Sequence, residues 1–225
     1  MNGFIVFFNE YGKEILKLTV EHINLTFISV GAAVFVSVPA GILLTRSRKL
    51  VTPILGFASV VQTIPSLALF GLVIPILMVL GLPIIGAVPA LTALFLYALL
   101  PILRNTYTGI RQVDPDIIEA ATGMGMRERD LLWRVELPLS VPVIMAGIRT
   151  STVISVGVAT LAALIGAGGL GEPIFRGLRT INYRLMLEGA IPASILALIL
   201  DYLLGRIELL LTSKGLRMKR EGLSQ

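Results

Sequence analysis

The chain has no cysteine, and its single histidine is His22. These scarcities exclude disulfide bonds, thiolate metal sites and a cysteine nucleophile, and they leave too few ligands for a histidine-based metal site. Charged residues make up 15% of the 225 residues, whereas soluble domains average about 25%. Hydrophobic residues are abundant at 55%, and the mean hydropathy is +0.87. This balance predicts an integral membrane protein.

Catalytic and nucleotide-binding patterns are also missing. No G-x-x-x-x-G-K-[ST] loop occurs, so the chain cannot bind ATP in a loop of that kind. No group of carboxylates, histidines or nucleophiles converges along the sequence, which argues against a membrane enzyme. The net charge of +5 is better explained by basic cytoplasmic loops than by nucleic-acid binding.

Long runs without Lys, Arg, Asp or Glu mark the expected membrane spans. The run 22–45 is long enough for one span. The run 51–103 would reach roughly 80 Å as one helix at about 1.5 Å per residue, so it must turn back. The turn is predicted at 81–89, where glycine and proline interrupt the apolar pattern.

Two further apolar runs complete the count. The run 138–171 contains one charged residue of these types, Arg149, and the run 189–211 contains Asp201, Arg206 and Glu208 in its second half. The sequence therefore predicts an all-α membrane protein with about five transmembrane helices in one domain at 22–212. The spans are expected at about 22–45, 52–79, 84–104, 139–165 and 189–211.

The segments before and after the predicted spans have their own sequence patterns. Residues 9–21 have the pattern of a short amphipathic helix, and we expect segment 1–21 to lie on the outer face as an interfacial helix. The tail 213–225 is basic, and its positive charges could contact anionic membrane lipid.

The distribution of Lys and Arg predicts the orientation, because cytoplasmic loops carry an excess of both. An N-terminus outside and a C-terminus inside give the better fit, with twelve basic residues in cytoplasmic segments against five outside. The twelve are Arg46, Arg48, Lys49, Arg104, Arg111, Arg127, Arg129, Arg134, Lys214, Arg217, Lys219 and Arg220. The five are Lys13, Lys17, Arg176, Arg179 and Arg184.

A polar segment at 105–138 interrupts the apolar runs on the predicted cytoplasmic side. Asp114 and Pro115 suit the N-cap and first position of a short helix, and Gly123 or Gly125 suits its left-handed end. A second helix is predicted at about 127–137, ending before Pro138. A helix this short is marginal in water, so something must pack on it, either its own bundle or a partner.

The spacing within this segment resembles the EAA loop of permease subunits of bacterial ABC importers. The matching positions are Glu119, Ala120, Ala121, Gly125, Val135, Leu137 and Pro138. Val135 departs from the more usual isoleucine, which is a conservative change. The resemblance implies that a short helix docks in a cleft of a separate ATPase subunit. Small side chains at Ala120 and Ala121 would let that partner approach the backbone closely.

Three other stretches, 60–77, 100–110 and 148–171, resemble the osmoprotectant branch of these importers, which carry glycine betaine, carnitine and choline. This implies a type I ABC importer permease fold in the bacterial cytoplasmic membrane, with no cofactor in this chain and with ATP and Mg on the ATPase. The expected partners are two ATPase copies, a second permease copy or paralogue, and an external solute-binding protein. The alternatives are an amino acid as the solute, or an ion-coupled secondary transporter.

Two clusters are candidates for the translocation pathway or its gate. One puts polar residues and a helix-breaking proline inside the second span, and a kink lining the pathway is expected there. The other is a glycine cluster at the outer end of the fourth span, which could form a bend or simply pack helices together. The candidates are Gln62, Thr63, Pro65, Ser66, Gly166, Gly168 and Gly169.

Arg149 and Asp201 are the intramembrane charges that need an explanation. An acid within a span is a functional candidate, and Asp201 could attract a cationic solute. A structural ion pair between helices is the preferred interpretation, because Arg149 and Arg206 lie on the same predicted side.

Overall fold

The protein is described by a computed structural model that covers residues 2–212, with side chains for 12–47 and 49–212. The described residues form helices and connecting turns, with no β-strand among them. The basic tail lies outside the described residues. The α-helices are α1 (Asn2–Arg46), α2 (Arg48–Thr63), α3 (Ser66–Val79), α4 (Ala87–Arg111), α5 (Pro115–Gly123), α6 (Glu128–Leu131), α7 (Leu137–Ala159), α8 (Gly171–Thr180) and α9 (Tyr183–Leu211).

The central bundle consists of α1, α4, α7 and α9, with α4 packed between α1 and α7. Small residues allow the close approach of α4 and α7, as is common for helices packed within a membrane. A Cβ atom on Gly147 would lie 2.7 Å from both the Pro101 carbonyl oxygen and the Asn105 Cβ. A Cβ atom on Gly109 would lie 3.0 Å from the Val143 Cβ. Larger residues at these two glycines would push the helices apart.

Membrane-spanning potential is found in three helical stretches, Gly12–Arg46, Ala87–Arg111 and Glu128–Ile165. The pair Lys49–Thr63 and Ser66–Val79 passes the same test together, but it is bent by 112° at its break. The structure therefore supports three spans, or four if the bent pair is one span. The predicted fifth span lies within α9, which also carries Asp201, Arg206 and Glu208 and is not among these candidates.

Three helix boundaries differ from the sequence predictions. The expected amphipathic helix at 9–21 is not separate, because α1 runs without interruption from Asn2 to Arg46. The second span was expected to be kinked at Pro65, but the chain breaks there into two helices at a steep angle. The second cytoplasmic helix was expected to end before Pro138. Instead a π-helical turn at Leu132–Glu136 leads directly into α7.

Pro138 does not interrupt the helix, because of its position at the start of α7. Pro138 is in the first turn of α7, where its missing N–H matters least. The preceding π-turn shifts the backbone hydrogen bonds from i→i+4 to i→i+5, and single π-turns of this kind occur within otherwise regular α-helices. The chain thus passes from the polar segment into α7 without a break in the helix.

Candidate functional site

The polar segment between α4 and α7 (residues 112–136) forms a defined structure outside the bundle. Asp114 caps α5 by accepting a hydrogen bond from the Asp116 backbone N–H at 3.0 Å, and Pro115 occupies the first turn as predicted. Asp116 adds negative charge to that turn, where the helix dipole favours it. The chain reverses at Gly125, whose φ of +82° is strained for other residues. The helix start and the glycine turn predicted from sequence are both present.

The outer surface of this segment combines an acid with exposed apolar side chains. Glu119 and Ala120 are exposed on α5. Ile117 is 43% exposed, Met124 73% and Trp133 62%. Single exposed apolar residues are common, whereas several within one short segment that also carries an exposed acid favour a protein-binding surface. The expectation for Ala121 needs correction, since it is 3% exposed and packs inward, where its small size serves the chain's own packing.

The end of the EAA pattern lies where the polar segment enters α7. Val135, Leu137 and Pro138 are half-buried there. Between them Glu136 is buried, and its Oε2 accepts a hydrogen bond from the Arg46 Nη2 at 2.5 Å. Sequence reasoning missed Glu136. An acid directly before Leu-Pro, on the same predicted side as the arginine that ends the first span, was the available signal.

The break between α2 and α3 places the polar candidates of the second span together. Thr63 and Pro65 are exposed at the bend, while Gln62 and Ser66 are half-buried. The Ile64 carbonyl, which has no helical partner at the break, accepts a hydrogen bond from the Tyr97 hydroxyl on α4. Gln62 Nε2 in turn donates to the Tyr97 carbonyl at 3.2 Å.

Tyr97 was not among the predicted site residues. Its hydroxyl satisfies a backbone carbonyl that would otherwise be unpaired in an apolar setting, which is costly. Tyr97 therefore fixes the position of the break relative to α4.

The glycine cluster forms a tight turn after the 3₁₀ turn Thr160–Ile165 that ends α7. Gly166, Gly168 and Gly169 have φ angles of +74°, +81° and +84°, which glycine adopts without strain. Gly168 and Gly169 are buried against α1, where Glu21 Oε2 accepts a hydrogen bond from the Gly169 N–H at 3.1 Å. The cluster is thus a bend that is also packed against a neighbouring helix.

His22 completes the attachment of this turn to α1. Its side chain is fully buried, and Nδ1 accepts a hydrogen bond from the Leu170 N–H at 3.3 Å. Nε2 lies 3.0 Å from the Val156 carbonyl oxygen, to which it donates. This pair of contacts defines a neutral imidazole with its proton on Nε2.

Arg149 and Asp201 form an interhelical ion pair, as the preferred interpretation predicted. Arg149 Nε lies 2.9 Å from Asp201 Oδ1, and Nη2 lies 3.0 Å from Oδ2. Nη1 reaches a second acid, Glu208 Oε2, at 3.0 Å. A Cβ on Gly205 would lie 3.4 Å from the guanidinium carbon, which is ordinary van der Waals contact, so the arginine packs directly against this glycine. Arg206 does not join the network; its guanidinium carbon lies 6.0 Å from the centroid of the Tyr202 ring.

The segment 172–188 consists mainly of α8 and the start of α9. α8 exposes Leu178 on its surface, and a shallow cleft beside it is lined by Glu172, Phe175, Arg176 and Arg179. Arg176 also pairs with Glu14 of α1 at 3.2 Å. Burial raises the pKa of Glu188, and the neighbouring Arg176 partly opposes this rise.

No set of three or more His, Asp or Glu side chains in the described part of the chain is arranged to hold a metal ion. An apolar helical bundle with a broken helix pair and an exposed helix at one end is characteristic of a membrane transport component. The comparisons with known proteins establish the same class.

The chain belongs to the family described as the binding-protein-dependent transport system inner membrane component, which matches residues 37–212. It is 49% identical to the carnitine transport permease protein OpuCB of Listeria monocytogenes, over 99% of both chains. It is 46% identical to the glycine betaine/carnitine/choline transport system permease protein OpuCB of Bacillus subtilis, over 98% of this chain and 99% of the relative.

The fold matches a chain in an inward-facing structure of the MetNI methionine ABC transporter. The TM-score is 0.80 at 24% identity, over 91% of this chain and 99% of that one. The resemblance to importer permeases is therefore confirmed by both sequence and fold. The protein is a multi-pass membrane transport component and not an enzyme.

Proposed function

We propose that the chain is the permease subunit of an ATP-driven importer for glycine betaine, carnitine, choline or a similar quaternary ammonium compound. The names of the two full-length relatives support this solute class, because both describe permeases for such compounds. The solute would be delivered by an external binding protein, as the family description implies. The membrane would be the bacterial cytoplasmic membrane.

The observation that carries the proposal is the exposed surface of α5. Ile117, Glu119 and Ala120 face away from the bundle, and α5 packs mainly against the short helix α6. A helix of nine residues needs a partner to be stable, and an ATPase cleft would supply one. The ATPase would hold ATP and Mg, since this chain has no phosphate-binding loop.

A complete importer would contain two ATPase copies and two permeases, the second being an identical chain or a paralogue. We expect five spans in each permease, with the N-terminus outside and the C-terminus in the cytoplasm. The polar segment would then face the ATPase. The break at Thr63–Ser66 would line the pathway, because it exposes Thr63 and Pro65 at the tip of a steep bend.

An amino acid is the second candidate for the solute. The fold is shared with a chain of a methionine transporter at a TM-score of 0.80, so the fold is compatible with either solute class. The higher identity to permeases for carnitine, choline and glycine betaine favours the quaternary ammonium compounds.

The test begins with tagged protein purified from its native membrane, followed by identification of the proteins that copurify. We expect an ATPase and an external binding protein. The purified assembly, reconstituted with ATP inside vesicles, should accumulate radiolabelled carnitine, choline or glycine betaine rather than methionine. Uptake of methionine alone would assign the second candidate.

The proposed contact between α5 and the ATPase is tested with Glu119→Arg, which reverses an exposed charge on α5. The amount of copurified ATPase should fall about tenfold, while thermal stability stays unchanged because the residue is exposed. Glu172→Arg, an exposed acid on α8, is the matched control and should leave the ATPase bound. Equal ATPase binding in both variants and in the parent protein would disprove coupling through α5.

A further inference from the structure

The junction between the polar segment and α7 is clamped to α1 by a buried acid. Glu136 ends the π-turn Leu132–Glu136, and it is 5% exposed. Its partner Arg46 is the last residue of α1, and the joining atoms are 2.5 Å apart. The arginine side chain is 41% exposed, so the pair extends from the protein interior to its surface.

Burial makes Glu136 dependent on its partner. A carboxylate withdrawn from water is strongly unfavourable unless a charge and hydrogen bonds replace its hydration. Arg46 supplies the charge and one hydrogen bond, and its place at the C-terminal end of α1 is where the helix dipole favours a cation. A neighbouring pair in the same segment, Arg134 with Asp130, is 3.6 Å long and exposed on both sides.

The pair also has a distinctive position in the chain. The polar segment is joined covalently to α4 and α7 but not to α1. Of the ion pairs between described side chains, Arg46–Glu136 is the one that connects α1 to this segment. The last turns of α1 are packed firmly on α4, since Leu44 is 2% exposed and a Cβ on Gly41 would lie 2.7 Å from the Thr106 Cβ.

From this geometry we propose that Glu136 and Arg46 are a positioning pair that transmits displacement of the polar segment to α1. When a partner moves α5, the π-turn and α7 move with it through the chain, and the ion pair makes α1 follow. Without the pair, α1 would be driven only indirectly through its packing on α4, and it would follow the displacement of α7 less completely. The inference rests on the proposed function and names residues that transmit its movement.

The test measures solute molecules transported per ATP hydrolysed, using the whole complex with its ATPase and binding protein in vesicles. Glu136→Gln removes the charge but keeps the shape of the side chain. We expect the transport ratio to fall about tenfold, within the range that couplings between sites span, while the ATPase still copurifies and hydrolyses ATP. Arg134→Gln breaks the exposed pair in the same segment and should leave the ratio unchanged.

Arg46 provides a second comparison that does not require Glu136 to change. Its contact uses one nitrogen, so Arg46→Lys should retain most of the transport ratio, while Arg46→Gln should lose it. Equal transport ratios in Arg46→Gln and the parent protein would overturn the inference. If Glu136→Gln lost the bound ATPase together with uptake, Glu136 would have a structural role only, and the inference would also be overturned. An unmodified complex that transports none of these solutes would instead overturn the proposed function.

Discussion

Replacing Arg149 with methionine should destabilise the protein much more than neutralising Asp201. The guanidinium makes three hydrogen bonds to two carboxylates on α9, at 2.9–3.0 Å. Methionine fills similar space but leaves both acids without this partner. Asp201→Asn keeps a side chain of the same shape, whose oxygen can still accept one hydrogen bond from the arginine.

The exposures of the two acids determine the size of the effect. Glu208 has a side chain that is 7% exposed, whereas that of Asp201 is 42% exposed and can be rehydrated. Breaking a buried pair by removing one partner costs about 3–5 kcal/mol, and the half-exposed Asp201 adds little to that. We therefore expect about 3 kcal/mol for Arg149→Met and about 1 kcal/mol for Asp201→Asn.

Thermal denaturation of the purified protein in lipid nanodiscs measures these changes. A loss of 3 kcal/mol corresponds to a Tm decrease of about 6–12 °C for a chain of this size, and Asp201→Asn should lower Tm by about 2–4 °C. A triple variant that also carries Asp201→Asn and Glu208→Gln is the control. Because positions 201 and 208 then carry neutral side chains that need no cationic partner, it should regain a large part of the stability lost in Arg149→Met.

Two results would contradict this reasoning. An unchanged Tm in Arg149→Met would show that the network does not hold α7 and α9 together. Loss of uptake in Asp201→Asn at an unchanged Tm would show that Asp201 binds the solute. Retained uptake in that variant would remove the solute-binding role.

Two further predictions concern the ends of other helices. Gly168→Ala should cost about 1–3 kcal/mol of stability, because φ is +81° and the new Cβ would clash with the Glu21 carboxylate. Gly157→Ala, which has open space around it, is the control and should be neutral or slightly stabilising. The Tm values of the two variants are compared. A Gly168→Ala protein as stable as the parent would contradict the described turn. Tyr97→Phe should leave the Ile64 carbonyl without its hydroxyl partner, at a cost of about 1–3 kcal/mol of stability, and should speed hydrogen exchange at the α2–α3 break. Unchanged exchange would show that the break does not depend on this hydroxyl.

Much of the helical layout could be predicted from sequence, because charge-free runs and caps are local signals. The start of α5 at Pro115 and the reversal at Gly125 are set by residues that act within a few positions. The continuity of α1 could not be read in the same way. An amphipathic pattern shows which face is apolar, but it does not say whether a helix bends where it enters the membrane.

The interhelical contacts of the site were harder to predict, because they depend on register between distant segments. The pairing of Arg149 with Asp201 could be anticipated, since both charges stand out in apolar runs. Glu136 and Tyr97 stand out less, because charged residues surround the one and apolar residues the other in sequence, and the position of Glu136 directly before Leu-Pro was its one signal. The inward packing of Ala121 likewise required the orientation of α5, which the sequence pattern leaves open.

The distribution of these contacts indicates which part of the chain moves separately. Charged or buried polar contacts join α1, α7, α8 and α9 to one another, and a close glycine contact joins α4 to α7. The contacts are Glu21 and His22 with the glycine turn, Glu14 with Arg176, Arg46 with Glu136, Arg149 with Asp201 and Glu208, and Gly147 with Pro101 and Asn105. Separating buried groups such as Glu136 and His22 from their partners is costly, so these helices should move together. The bent pair is held across its break by neutral hydrogen bonds between Gln62, Ile64 and Tyr97, which can be exchanged at lower cost. A displacement that begins at α5 should therefore be relieved at the α2–α3 break, where the exposed Thr63 and Pro65 lie.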